Sequence, residues 1–326
     1  MVTSPLNLLT VIYDDLDAQV TGFAGDIPNS YWSVEGSPTD WQRLEIGTSL
    51  VNIGTSAFSN NVNLSGALTI PSNVRDIGYS AFYNNKLESL TIENGVTGIG
   101  ASAFESIEEL TGNLVLPASV DFIGAQAFRS CSFESVETLG QVETITTNLC
   151  FGQNTSLTGA KINATTLTNP GLFSSCTNLT NVDIINANTI GFGDFEGCTS
   201  LTTVYLNAVE IAAQVLVSST SITGVTLGPD VATIGARAFD GCVNLSGSLT
   251  IPTGTTIIES GVFQGTSLTD VTINCPTGSW TGTNAFLSTP AITYTITGTY
   301  YEDYTGTLTR DEIGIPAGSI FISGTY

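Results

Sequence analysis

The apolar residues of this chain recur in a fixed phrase. Ile234-Gly235-Ala236-Arg237-Ala238-Phe239 has close copies at Ile53 to Phe58, Ile77 to Phe82, Ile99 to Phe104 and Ile123 to Phe128. Following the phenylalanine gives positions 58, 82, 104, 128, 151, 173, 195, 239, 263 and 286, with Leu216 filling the gap after Phe195. The steps run from 21 to 24 residues across eleven units. Self-similarity at such a period predicts a solenoid, in which one unit cannot bury its own apolar face and stacking buries them all.

Within a unit the pattern is finer. In Asn244 to Phe263, Leu245 points inward, and Leu249-Thr250-Ile251 alternates in, out, in as a half-buried strand does. Pro252 stops that strand because it has no N–H for a ladder. Ile257-Ile258 follows, then a short helical or 3₁₀ turn ending at Phe263. The inward strand pairs recur as Leu68/Ile70, Leu90/Ile92, Leu114/Leu116, Val182/Ile184, Val204/Leu206, Val225/Leu227 and Val271/Ile273. Glycines 54, 78, 100, 124, 191 and 235 follow the ladder isoleucine, which implies either positive φ or close contact between coils. Two extra residues precede some strands, as in Ser65-Gly66 and Ser246-Gly247, and predict small bulges. The units between about 134 and 220 depart most: Val215-Leu216 replaces Ala-Phe, and local irregularity is expected there.

The units resemble leucine-rich repeats of the BspA, or Treponema pallidum, type. That family's pattern runs Ile-Gly-x-x-Ala-Phe-x-x-Cys-x-x-Leu-x-x-Val-x-Ile-Pro. Ile234-Gly235, Ala238-Phe239, Cys242, Leu245, Leu249, Ile251 and Pro252 match it, allowing a two-residue insert. The resemblance covers residues 50 to 275. It implies a β-rich, right-handed leucine-rich-repeat solenoid with one parallel β-sheet face and about eleven coils. It also implies display on a bacterial, protist or viral surface, with adhesion as the usual role.

The period fails at both ends. Residues 1–44 read as an N-terminal cap or docking segment, with Tyr31, Trp32 and Trp41. Residues 45–286 form the solenoid. Residues 287–326 hold two further strands, around Ile292 to Thr297 and Ser319 to Ile322, and Tyr300, Tyr301 and Tyr304. They read as a β cap or a subunit-contact tail, the latter giving a homo-oligomer.

Composition narrows the function. Charged residues are only 11%, under half the usual share, so the surface is built from Thr, Ser, Asn and Gly. Twenty-nine acids against seven scattered bases give a net charge of −22, a field that repels nucleic acid and anionic lipid. No apolar run suits a membrane span, and membrane insertion is not expected. The N-terminus has Leu6, Leu8 and Leu9 but no basic region before them, and Asp14, Asp15 and Asp17 follow; no secretory signal is visible as written.

The absence of histidine removes His-based triads, bases and metal sites. The acid pairs Asp14/Asp15, Glu108/Glu109, Glu302/Asp303 and Asp311/Glu312 fall in turns or ends, with no partner carboxylate indicated. Asp14-Asp15-Leu16-Asp17 lacks the spacing of a calcium loop and reads as a solvated turn. Cys131, Cys176, Cys198 and Cys242 each lie three residues after the landmark, an inward position where reduced cysteine packs as a small hydrophobe. A Cys176–Cys198 disulfide on neighbouring coils is the alternative. Five Asn-x-Ser/Thr triplets, at Asn63, Asn154, Asn163, Asn178 and Asn244, are explained by the repeat without glycosylation. Neither catalysis nor a cofactor nor a metal is expected.

The informative surface is the outward strand face. Its central positions read Thr69, Thr91, Val115, an irregular unit, then Lys161, Asp183, Tyr205, Thr226, Thr250, Thr272 and Thr295. Threonine ladders follow from strand propensity. Lys161, Asp183 and Tyr205 interrupt the ladder and, with Asn181 and Thr203, mark the candidate binding patch. The function expected is a non-enzymatic, surface-displayed binding or assembly protein. A virion decoration or tail-fibre-like component, contacting other virion subunits, is favoured by the missing leader. The alternative is a bacterial adhesin that binds a protein or glycan on a host surface.

Overall fold

The computed structural model describes residues 10–14, 17–21, 25–27, 43–46, 50–168, 170–274, 283–290, 293–297 and 320–324. The chain divides into two compact units, Met1–Thr177 and Asn178–Tyr326. Both are stacks of β-coils, and together they hold about ten turns. Tyr31, Trp32, Trp41, Tyr300, Tyr301, Tyr304 and Cys275 lie outside the described residues.

In the first unit the ladder isoleucines pair coil to coil in parallel. The column runs Ile27, Ile53, Ile77, Ile99, Ile123, Ile145 and Leu167. A second face pairs Ser65–Ile70 with Lys86–Ile92, and Asn113–Leu116 with Ser135–Thr138 and then Gly159–Thr168. At the start, Thr10–Asp14 runs antiparallel to Asp17–Thr21, which pairs in parallel with Arg43–Ile46. In the second unit a column of the same kind runs Ile190, Ile211, Ile234 and Ile258. There Ser246–Ile251, Ser267–Ile273, Thr293–Thr297 and Ile320–Gly324 pair in sequence.

All the inward strand pairs read from the sequence are buried. The landmark phenylalanines stack face to face. In the first unit the ring centroids of Phe58, Phe82, Phe104, Phe128, Phe151 and Phe173 are 5.1 to 5.8 Å apart from one coil to the next. In the second, Phe239, Phe263 and Phe286 follow at 5.4 and 5.3 Å. The expected bulges are present: the register slips at Gly66/Ala67 and Gly247/Ser248, and both glycines have φ of +77°. In the irregular coils the two strands fuse into long ones, Gly159–Thr168, Asn181–Ile190 and Thr203–Ile211. No proline lies inside these strands to end them early, in contrast to Pro71, Pro117 and Pro252 in other coils.

The short helical or 3₁₀ turns before the phenylalanine are corrected by the structure. Among the described residues there is no helix. Each landmark sits between two left-handed residues, two before it and two after. Ser56 and Asn60 flank Phe58 with φ of +53° and +59°, and Gln214 and Ser218 flank Leu216 with +61° and +56°. A left-handed residue cannot be part of a right-handed helical run. It suits the third position of a β-turn, and Ala57 N–H donates to the Gly54 carbonyl across Ser56. The alternate N–H groups turn outward to the following coil: Ser56 to Tyr79 O, Phe58 to Ala81 O and Asn60 to Tyr83 O, each at 2.7 Å. A helix would keep these donors to itself. The turn column shares them and holds the coils together.

Candidate functional site

The patch read from the sequence rests on two parallel strands of the second unit. Asn181 pairs in register with Thr203, and Asp183 with Tyr205. Alternation sends Val182, Ile184, Val204 and Leu206 inward to the core, so the intervening side chains must face out. Asn181, Asp183 and Thr203 are exposed and Tyr205 is half-buried. The next strand brings Gly224 beside Thr203 and Thr226 beside Tyr205. Neighbouring strands lie about 4.8 Å apart, so the Asp183 carboxylate and the Tyr205 ring form one continuous surface. Among the described residues neither group has a hydrogen bond or ion pair within the protein.

Lys161 belongs to the first unit, and the structure gives it a partner that the sequence reading passed over. Glu137 occupies the outward position one strand earlier, in register with Lys161, and its Oε1 lies 3.1 Å from Lys161 Nζ. Val115 precedes it in the same row. The signal was present in the 24-residue spacing from Glu137 to Lys161, but the unit around Glu137 breaks the strand phrase and hid it.

The remaining chemistry is structural. The described cysteines, 131, 150, 176, 198 and 242, are buried thiols with no disulfide among them. Burial pushes the Cys131 thiol up to about 12 and that of Cys242 up to about 11, and raises Cys150 as well. Such thiols are inert at neutral pH. The Cys131, Cys176 and Cys242 thiols each donate to the carbonyl of the previous landmark, Phe104, Phe151 and Leu216, at 3.1 Å. Asn154 occupies the same position and donates to Phe128 O and Phe151 O at 2.8 Å. It is fully buried with its amide committed to two carbonyls, so this fold leaves no room for a glycan on it. Lys86 pairs with Glu109, and its hydrogen bond to that carboxylate raises the Lys86 pKa. Asp14 and Asp17 face each other where a hairpin closes. Among the described residues no group of three His, Cys, Asp or Glu is placed to hold a metal ion. Among the described residues no helix is long and apolar enough to cross a membrane.

Comparison with known proteins agrees with the repeat. The family model described as BspA type leucine rich repeat region matches in six copies, over residues 37–158, 108–215 and 165–293. No curated protein matches the chain. Among solved structures it is similar to a leucine-rich repeat protein from Bacteroides ovatus, with 21% identity over 96% of this chain and 90% of that one, at a TM-score of 0.49. The T. pallidum leucine rich repeat protein is 24% identical over 55% of this chain and 77% of that one, at a TM-score of 0.40. A leucine rich cell surface protein from Faecalibacterium prausnitzii is 17% identical over 97% and 99%, at a TM-score of 0.34.

Proposed function

The chain belongs to the BspA-type leucine-rich repeat family, and from that premise we propose that it is a non-enzymatic recognition module displayed on a surface. The observation that supports this is the strand face at Asp183 and Tyr205, two unengaged polar side chains on paired strands within an otherwise threonine-rich face. A rigid sheet presents such groups at fixed spacing, so little side-chain entropy is lost when a partner docks. The partner is a protein or glycan carried on another surface. The net charge of −22 keeps nucleic acid and anionic membrane away.

Immunogold labelling of purified virions and of intact cells tests the setting. Label on virions identifies a decoration or tail-fibre-like component, and label on the cell envelope identifies an adhesin. Label confined to the cell interior would overturn surface display. For the site, the variant carrying Lys161→Thr, Asp183→Thr and Tyr205→Thr abolishes binding of the purified chain to the labelled surface's target while the melting temperature stays within a few degrees. Lys161→Thr alone has a small effect, because that ammonium is already committed to Glu137 and an exposed pair contributes about 0–1 kcal/mol. Unchanged binding by the triple variant moves the site off this face and towards the termini.

A further inference from the structure

The turn column that holds the coils together opens at one place in the second unit. In the next coil it is intact: Gln214, Leu216 and Ser218 donate to Ala236 O, Ala238 O and Asp240 O at 3.0, 2.8 and 2.7 Å. One coil earlier the equivalent donors at Gly193 and Gly197 make no such bond to Ala213 or Val217. The carbonyls of Val215 and Val217 accept none either. The gap has definite ends. Ala212 N–H still donates to Ile190 O at 2.9 Å on one side, and Thr223 N–H to Thr202 O at 2.8 Å on the other. Between them lies a cleft of about 410 Å³, within the range of small-molecule sites.

The chemistry of the cleft is specific. Phe192 stands at it with 58% of its surface exposed, and only it and Phe122 are exposed phenylalanines among the described residues. Beside the ring are two glycine N–H donors and two valine carbonyl acceptors. Glu196 and Gln214 add a carboxylate and an amide, and Ser218 and Thr220 add hydroxyls. No lysine or arginine lines the cleft. An anionic ligand therefore meets Glu196 and the protein's negative field with no compensating charge. A purely apolar ligand would leave the backbone groups unpaired, at a cost for each. An added peptide strand needs donors and acceptors alternating evenly along an extended edge. Gly193 and Gly197 have φ of +83° and +75° and present a turn instead.

We propose that this cleft binds one residue of a neutral glycan. A pyranose has an apolar C–H face to lie on the Phe192 ring. Its hydroxyls each donate and accept, matching the mixed set of N–H, C=O, amide and carboxylate groups. The cleft is separate from the strand face: it is lined by turn residues and shares none with Asn181, Asp183, Thr203 or Tyr205.

The test is titration of the purified full chain with neutral cello-, xylo-, manno- and malto-oligosaccharides, read by saturation-transfer NMR and calorimetry. Sialyllactose serves as the anionic control. At least one neutral oligosaccharide binds and sialyllactose does not. Phe192→Ala weakens binding at least tenfold, and Thr199→Trp, which fills the cleft, removes it. Tyr79→Ala changes it less than twofold. Tyr79 holds the same place in its unit, 55% exposed, beside an intact turn column. The double variant Asp183→Thr, Tyr205→Thr also leaves oligosaccharide binding intact, which separates this site from the strand face. Far-ultraviolet circular dichroism confirms that each variant folds. The assignment is overturned if no neutral oligosaccharide binds, if Phe192→Ala or Thr199→Trp binds as well as the parent, or if the cleft takes up an extended peptide instead.

Discussion

Gly124 packs so closely on Ala101 that a Cβ added to it would sit 2.3 Å from the Ala101 backbone nitrogen. Gly78, Gly100 and Gly235 meet the preceding coil in the same way, at 2.5 to 2.7 Å from backbone atoms. None of these four has positive φ. Their role is close approach between coils, which decides between the two readings the repeat allowed. Gly124→Ala therefore lowers stability by about 1–3 kcal/mol, the cost of overpacking against backbone that cannot swing aside. Urea denaturation measures it. At Gly112 a Cβ meets nothing within 4 Å, but φ is +79°, so Gly112→Ala costs only the left-handed penalty of about 1–2 kcal/mol.

Phe104 has ring neighbours on both sides, Phe82 at 5.2 Å and Phe128 at 5.4 Å. Phe104→Ala opens a cavity inside the stack and costs about 3–5 kcal/mol. Phe104→Leu costs less than half of that, since Leu216 fills the same position in the second unit and is buried there. Equal losses in the two variants, by thermal or urea unfolding, would show that the stack contributes little as packed volume.

Asn154 donates to two buried carbonyls, Phe128 O, for which no other donor is found among the described residues, and Phe151 O, which also accepts from the Cys176 thiol. Asn154→Ala removes both bonds and costs about 1–3 kcal/mol. Asn154→Cys recovers most of it. A thiol at this position donates to the preceding landmark in three other coils, and it lacks the Asn154 Oδ1, a buried acceptor with no partner. If the cysteine variant is as unstable as the alanine one, the column is explained by volume alone.

The buried thiols make the protein sensitive to alkali. Desolvation raises their pKa values in the folded state, to about 12 for Cys131 and about 11 for Cys242, from the ordinary thiol value of 9.0 that the unfolded chain keeps. Below pH 9 both states hold the proton and stability is unaffected. Above it the unfolded state ionises first, so stability falls as pH rises towards the folded values. Melting temperatures taken from pH 8 to pH 11 should drop progressively from about pH 9. At pH 8 a disulfide exchange reagent reacts with the described cysteines only after denaturant is added. Rapid native labelling of Cys131 or Cys150, located by mass spectrometry, would contradict their burial.

Much of the fold is legible in the chain because each buried position repeats. The ladder Ile, the strand pair, the landmark Phe and the cysteine three residues later all point inward, as the period requires. The turns are less legible. Their left-handed residues include Ser56, Ser80, Ser102, Gln126 and Arg237 as well as asparagines and glycines, and a serine, glutamine or arginine does not announce positive φ by its side chain. A stretch of residues between two apolar anchors reads equally well as a helical turn. The partner of Lys161 was hidden for a similar reason, since Glu137 lies in a unit whose strand phrase is degraded.

What the sequence determined by itself is the set of inward positions and the stacking direction, because hydrophobic periodicity at 21 to 24 residues has one compact solution. It also marked Val215-Leu216 as the place where the phrase decays. Only the tertiary structure decided what that decay does. Whether a turn's N–H groups turn inward, reach the next coil or stay open depends on how two coils approach each other. No single unit encodes that distance, so the cleft beside Phe192 appears only when the coils are stacked.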